Sequence, residues 1–268
     1  MTEPIKAFPV QRWRNAKVEA AQDQVAVEEP LEIRLGGEPF QVLMRLPGWE
    51  KELALGFLFT EGIVRDLNEV VTIHFCGTGT DPELPPNVVD VSLTPAALER
   101  RGRRHLEVAY SSCGLCAKEA VGEISRTVPA VTSPVTIAPA TLSALMDRLH
   151  DFQTVFQATG GTHAVALASP DGRIFIPAED VGRHNAMDKV IGRAVFTRQD
   201  FSNLVALLSG RISFEMALKC IRAGLPVLAA VSAPTSMALE AAQELNLSTV
   251  GFVRGRRLNI YTHPWRIV

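Results

Sequence analysis

Two thiols three positions apart, in Ser111-Ser112-Cys113-Gly114-Leu115-Cys116-Ala117-Lys118, are the residues of this chain best suited to covalent chemistry. No second C-x-x-C accompanies them. Residues 105–110 alternate polar and apolar like a half-buried strand, and 117–128 carry a helical pattern, which puts both sulfurs at a strand-to-helix junction. A helix N-terminus offers free N–H groups and positive dipole, and Lys118 adds a cation; both favour thiolate, the nucleophilic form. Gly114 leaves the segment between the sulfurs free to bend.

Three other readings of the pair compete. Structural zinc would need ligands beyond the pair, from Cys76, Cys220 or a histidine, whereas such sites ordinarily use two closely spaced pairs. A structural disulfide fits poorly with four cysteines in 268 residues and no export signal, which suggest a reducing compartment. Packing as small apolar side chains conflicts with the polar Ser-Ser and Ala-Lys flanks. Local sequence therefore favours a reactive pair.

The whole chain sets the bounds. An apolar fraction of 47%, a charged fraction of 21% and a formal charge of -2 are those of a globular protein, and they argue against a generally basic nucleic-acid binder. No segment reads as a signal peptide or a membrane span, so a cytoplasmic protein without membrane partners is expected. The length suits two modest domains.

The elements that must position the thiols follow from periodicity. Residues 1–24, with Pro4 and Pro9, read as a poorly ordered or edge-strand arm. Residues 31–35 and 40–46 alternate around the turn Gly36-Gly37-Glu38-Pro39, a hairpin. An amphipathic helix is predicted over 50–60, stopped by Gly62. Strands follow at 70–75 and 88–93, and Thr94-Pro95 starts a short helix ended by Gly102. Residues 25–130 thus form a small α+β domain with the thiol pair near its end. The Arg100-Arg101-Gly102-Arg103-Arg104 cluster either steers an anionic partner or is a solvated basic turn.

Residues 131–268 alternate helix and strand. Apolar positions 142, 145, 146 and 149 mark a helix, 163–168 and 173–176 a hairpin, and 187, 190, 191 and 194 a second helix. Strands at 204–208, 227–231, 249–254 and 258–262, with helices at 213–223 and 235–245, complete an α/β layer sandwich whose sheet is covered on both faces. Ligands of such folds bind in loops beyond the strand ends. Four candidates lie there: Gly160-Gly161, Asp180-Val181-Gly182-Arg183-His184, Ser209-Gly210-Arg211, and Phe252-Val253-Arg254-Gly255-Arg256-Arg257. The last reads either as an anion cradle, with three arginines around one glycine, or as a hairpin with a basic turn. His184 is assigned a positioning role.

Several stretches recur together and in order: Glu29 to Arg34, Glu52 to Leu58, Ser112-Cys113-Gly114-Leu115-Cys116, Thr159 to Ala164, Glu179-Asp180-Val181-Gly182-Arg183-His184-Asn185-Ala186-Met187-Asp188-Lys189, Ser209-Gly210-Arg211, and Ala230 to Pro234. On these the chain resembles the FdhD family of sulfur carriers, from about residue 28 to the C-terminus. Ala117 stands where many members have glycine.

The resemblance implies a cytidine-deaminase-like fold for the larger domain and a homodimer. It implies a sulfurtransferase that takes persulfide sulfur from a cysteine desulfurase and passes it to Mo-bis-molybdopterin guanine dinucleotide, bound as cargo, to activate the formate dehydrogenase apoprotein. Cys113 would carry the persulfide. Cys116 would be secondary, and Phe252, Val253, Arg254, Gly255, Arg256 and Arg257 would contact the cofactor or another guanine nucleotide. No structural metal is expected. Ser112 stands where the zinc deaminase signature places proline before its cysteine pair, which disfavours a deaminase. Two rivals remain at this point, a thiol–disulfide oxidoreductase using the same pair and a cofactor-binding chaperone with structural cysteines. The pair is also expected to swing between a solvent-facing position and the cofactor pocket.

Overall fold

A computed structural model describes residues 3–76, 87–102 and 127–268. The predicted strand at 105–110, the thiol pair with its expected swing, and all but the end of the helix predicted over 117–128 lie outside the described residues.

The N-terminal arm is a long two-stranded ribbon, β1 (Ile5–Arg14) against β2 (Lys17–Ala26), in continuous antiparallel register and joined to no other sheet. Its tight turn is made by Asn15 and Ala16, both at positive φ. A hairpin closed without glycine leaves little sequence signal, which is why the arm read as poorly ordered or as an edge strand.

A four-stranded sheet follows, in the order β4-β3-β6-β5, from β3 (Glu29–Leu35), β4 (Glu38–Arg45), β5 (Val70–Cys76) and β6 (Val88–Leu93). Its turn at Gly36-Gly37 has φ of 60° and 85°, a conformation glycine adopts freely. Helix α1 (Glu50–Thr60) packs beside this sheet and α2 (Pro95–Glu99) follows β6. The amphipathic reading of α1 needs correction. Leu53, Ala54, Leu55, Gly56, Leu58 and Thr60 are all buried, because the helix lies between its own sheet and a helix of the second half.

That second half contains α3 (Pro139–Leu149), α4 (Thr154–Thr159), β7 (His163–Ala168), β8 (Ile174–Asp180), α5 (Arg183–Phe196), β9 (Val205–Leu208), α6 (Phe214–Ala223), β10 (Val227–Ala230), α7 (Ser236–Glu244), β11 (Ser248–Arg254) and β12 (Arg257–Ile260). The sheet order is β12-β11-β10-β9-β7-β8, with β9, β10 and β11 parallel and the flanking pairs antiparallel. Strands buried on both faces send alternate side chains into two cores. Ala164, Ala166, Val205, Leu207, Val227 and Ala229 join α3 on one side. Val165, Leu167, Ala206, Leu208, Leu228 and Ala230 join α5, α6 and α7 on the other. The second core runs without a break through α1 into the four-stranded sheet.

Candidate functional site at the carboxyl edge of the central sheet

Strands β8, β9, β10 and β11 all end on one edge of the central sheet, and the antiparallel β7 begins there with His163. Helices α5, α6 and α7 start at this same edge, so their free N–H groups face it. The sequence-predicted loops at 180–184, 209–211 and 252–257 are thereby gathered along one rim.

The 252–257 segment is the tip of the β11–β12 hairpin, with Arg254 opposite Arg257, a bulge between Gly251 and Arg254, and Gly255 at φ 55°. Phe252 has φ 54°, an uncommon backbone state for a bulky residue. Its N–H donates to Ser232 O at 3.2 Å, and Arg254 Nε donates to Val231 O at 3.0 Å, so the end of β10 holds the hairpin in place. Gly251 makes that approach possible, since a Cβ there would stand 3.0 Å from Ser232 O. Phe252 is left 41% exposed. Val253 points the other way, into the core, so only its backbone can meet a ligand. Arg256 and Arg257 are exposed at the tip. Arg34, Arg45, Arg100 and Arg193, by contrast, each sit on a carboxylate elsewhere in the molecule.

The 179–189 stretch does different work from what its density of polar residues suggests. Glu179 and Asp180 belong to β8 rather than to a loop. Glu179 accepts from the N–H groups of Val155 and Phe156, each at 2.9 Å, and from Thr162 Oγ1 at 2.7 Å, so it caps α4. Asp180 is fully buried and takes Lys189 Nζ at 2.7 Å and the N–H of Leu46 at 3.2 Å. Lys189 returns a bond to Leu46 O at 2.9 Å, and Asn185 Nδ2 donates to Met44 O at 2.7 Å. Both polar groups of Leu46 are thus gripped from the second half of the chain. Burial pushes Lys189 below the ordinary lysine range, against the pull of Asp180.

A second buried network is centred on the adjacent residue, Asp188. Lys219 Nζ reaches Asp188 Oδ1 and Oδ2 at 2.7 and 2.8 Å and Thr60 Oγ1 at 2.8 Å, while Thr60 Oγ1 donates to Asp188 at 2.8 Å. Burial raises the Asp188 carboxyl above its ordinary value, opposed by Lys219 and Thr60. Sequence reasoning missed Thr60 and Lys219, which are distant in sequence from Asp188 and carry no motif.

His184 Nε2 comes within 2.6 Å of Glu215 Oε2 on α6, without the alignment of a directed hydrogen bond. That contact is the main cause holding Glu215 below the usual carboxylate range. Glu215, which His184 contacts, was not legible in the sequence.

Cys113 and Cys116 lie outside the described residues, as does His105-Leu106-Glu107, which has the H-x-E spacing of the zinc deaminases. The residues flanking the thiol segment border one cavity of about 620 Å³, lined by Arg100 before it, Thr127 and Val128 after it, and Phe59, Arg65 and Arg222. Cys220 is buried, and desolvation drives its thiol far above the range of a reactive one. Among the described residues no group of three or more His, Cys, Asp or Glu could hold a metal ion, and no helix is long and apolar enough to cross a membrane.

The model of the FdhD/NarQ family matches residues 26–268, nearly the whole length of both halves. The chain belongs to the FdhD/NarQ family. A Sulfur carrier protein FdhD of Mycolicibacterium paratuberculosis is 48% identical over 258 residues, covering 92% of this chain and 93% of the relative. The Sulfur carrier protein FdhD of Saccharolobus solfataricus is 38% identical over 268 residues, covering 98% of each. A crystal structure of a candidate formate dehydrogenase accessory protein from Desulfotalea psychrophila superposes with a TM-score of 0.79, covering 99% of this chain and all of that one. At 24% identity that likeness shows the fold alone. The FdhD/NarQ match begins at the end of the ribbon, so the family is carried by the two packed sheets.

Proposed function

We propose that this protein is a persulfide sulfur carrier for formate dehydrogenase. In this reading Cys113 accepts sulfane sulfur from a cysteine desulfurase, and the carboxyl edge of the central sheet binds Mo-bis-molybdopterin guanine dinucleotide as cargo. In the transfer step the S–S bond of the persulfide would break with the Cys113 thiolate as leaving group, a Mo–S bond would form, and the two electrons that reduce the outer sulfur to sulfide would come from Mo(IV) of the cargo, oxidised to Mo(VI). The protein would act in the cytoplasm as a homodimer, delivering sulfurated cofactor to the apoenzyme.

One observation supports the cargo site above others. The β11–β12 hairpin presents an aromatic residue in a strained, bulge-supported conformation next to exposed arginines. A purine base stacks on such a ring, and guanidinium forks match phosphate oxygens. Relatives named as sulfur carriers across most of the chain supply the chemistry that the thiol pair would perform. Neither an oxidoreductase nor a chaperone with structural cysteines uses both features.

The test is direct. Incubation with a cysteine desulfurase and cysteine should add about 32 Da, one sulfur atom, to Cys113. Cys113→Ser should still bind cofactor yet deliver inactive formate dehydrogenase; full activation by that variant would remove the proposal.

A further inference from the structure

The N-terminal ribbon adds nothing to either core, since no residue of β1 or β2 belongs to them. It is anchored at one end. Val27 N donates to Pro4 O at 2.9 Å, and Ala26 lies against Gly161 just past α4, where a Cβ would stand 3.2 Å from that of Ala26. From there ten pairs run in unbroken register to the turn at Asn15-Ala16. At about 3.4 Å per residue the tip pair, Trp13 with Val18, stands about 27 Å from Ala26. An isolated two-stranded hairpin is marginal in water, so a ribbon of this length calls for a covering surface.

The two faces of the ribbon differ. Residues 5, 7, 9, 11 and 13 of β1 share one face with 18, 20, 22, 24 and 26 of β2, and this face carries no charge; its polar residues are Gln11, Gln22 and Gln24. Lys6, Arg12, Arg14, Lys17, Glu19 and Asp23 all belong to the other, where Arg12 reaches Asp23 at 3.5 Å. On the uncharged face Trp13 is 70% exposed and its cross-strand neighbour Val18 63%. In a chain that is 21% charged, a long exposed face without a single charge marks an interaction surface.

A second copy of the chain fits this face. In a two-fold contact a patch meets itself, so any charge on it would meet its like, and this face has none. Glutamine carries both donor and acceptor, so its amide can bond an amide of the other copy, whereas a lipid surface would leave Gln11, Gln22 and Gln24 without partners. Pro9, Gln11, Ala20 and Gln22 border a hollow of about 370 Å³ at mid-length, where a second ribbon can approach closely. Two ribbons laid antiparallel across that point bring each tip to the base of the other, where Phe152 before α4 and Phe156 on it are exposed.

Area supports the same occupant. Each face measures about 34 by 10 Å, so two stacked faces remove roughly 700 Å² in all, the size of a crystal contact. Two symmetric tip contacts, each burying a tryptophan of about 150–250 Å² against phenylalanine, lift the total to about 1,200 Å² or more, where specific dimers begin. An unrelated partner would meet one ribbon and one tip.

We propose that the uncharged face of the β1–β2 ribbon is a self-association surface, on which the ribbons of two copies lie antiparallel with each Trp13 at the other's α4. The inference rests on the homodimer of the proposed function and adds where the two copies meet.

Sedimentation equilibrium of the full-length protein tests it. Trp13→Ala should raise the dissociation constant of the dimer about thirtyfold or more, as the loss of a central aromatic anchor does. Gln22→Glu sets like charges face to face and should raise it as well. Both positions are exposed and outside the cores, so the fold is kept. Gln11→Cys treated with a short bis-maleimide should give a cross-link between position 11 of one copy and position 11 of the other, located by peptide mapping. A wild type that stays monomeric removes the homodimer and the ribbon contact together. A dimer unmoved by Trp13→Ala and Gln22→Glu, and without that cross-link, overturns the ribbon contact alone: the homodimer of the proposed function stands, and the ribbon face belongs to another protein.

Discussion

Gly56 of α1 and Gly192 of α5 meet backbone to backbone. A Cβ on Gly56 would stand 1.8 Å from Asp188 O, and one on Gly192 would stand 1.9 Å from Glu52 O. Neither obstacle is a flexible side chain, so the two helices would have to separate. This crossing joins the four-stranded sheet to the central sheet, and Gly56→Ala is expected to destabilise the protein by about 3 kcal/mol or more through overpacking against backbone. Urea unfolding measures it. A loss under 1 kcal/mol, about the size of an ordinary surface change, would show that the joint yields.

The same joint contains the Asp188–Lys219–Thr60 network. Removing one member of a buried charge pair leaves the other without compensation, so Asp188→Ala should cost about 3–5 kcal/mol. Replacing both ends, Asp188→Leu with Lys219→Met, removes two charges from the interior and should recover most of that loss. A double variant no more stable than Asp188→Ala would mean that packing, not charge, dominates there.

Histidine 163 gives a pH dependence of defined sign. Burial, then the positive charges of Arg183 and His184 on α5, hold its pKa below the ordinary histidine value. Its cross-strand neighbour Asp180 is already bound by Lys189, and Glu215 on α6 lies against His184. Below about pH 6.5 the unfolded chain takes up a proton that the native His163 refuses. This contribution to stability is therefore present above that pH and lost as pH falls toward the lowered native value. His163→Gln should flatten the stability profile in that window, read by urea midpoints from pH 7 downward. An unchanged slope would assign the dependence to other groups.

Much of this architecture was legible because helix and strand periods were clear. The second-half strands were found from their apolar runs, and the two-sided burial of β7, β9 and β10 follows from those runs being apolar at every position. Local signals also located the rim loops at 180–184, 209–211 and 252–257. What each rim residue does was not legible, because it depends on partners far away in sequence. Asp180 is bound by Leu46, Asp188 by Lys219, and His184 contacts Glu215. Gly56 and Gly192 did carry a signal, since glycine inside a helix often marks a close approach. The strained backbone of Phe252 carried none, because it arises from a bulge fixed by Ser232 on the neighbouring strand.

The hairpin and the thiol pair should be separable in function. Arg254 already uses Nε to hold Val231 O, so its removal would disturb the hairpin itself. Phe252, Arg256 and Arg257 are exposed and give the cleaner test. Phe252→Ala should relieve an unfavourable backbone state only in part, as alanine also prefers negative φ, and should remove the stacking surface. Loss of base stacking with one aromatic ring is worth about 1–3 kcal/mol, roughly a five- to 150-fold weakening of GDP. Arg256→Ala with Arg257→Ala should weaken GDP further and make the remaining affinity less sensitive to salt, since fewer charge contacts then remain to be screened. Persulfide loading of Cys113 by a desulfurase should proceed at the wild-type rate in all of these variants, because in the proposed function the hairpin binds the nucleotide and takes no part at the thiol. Loading that falls in parallel with GDP affinity, in proteins whose melting transitions are unchanged, would show that the two sites operate as one.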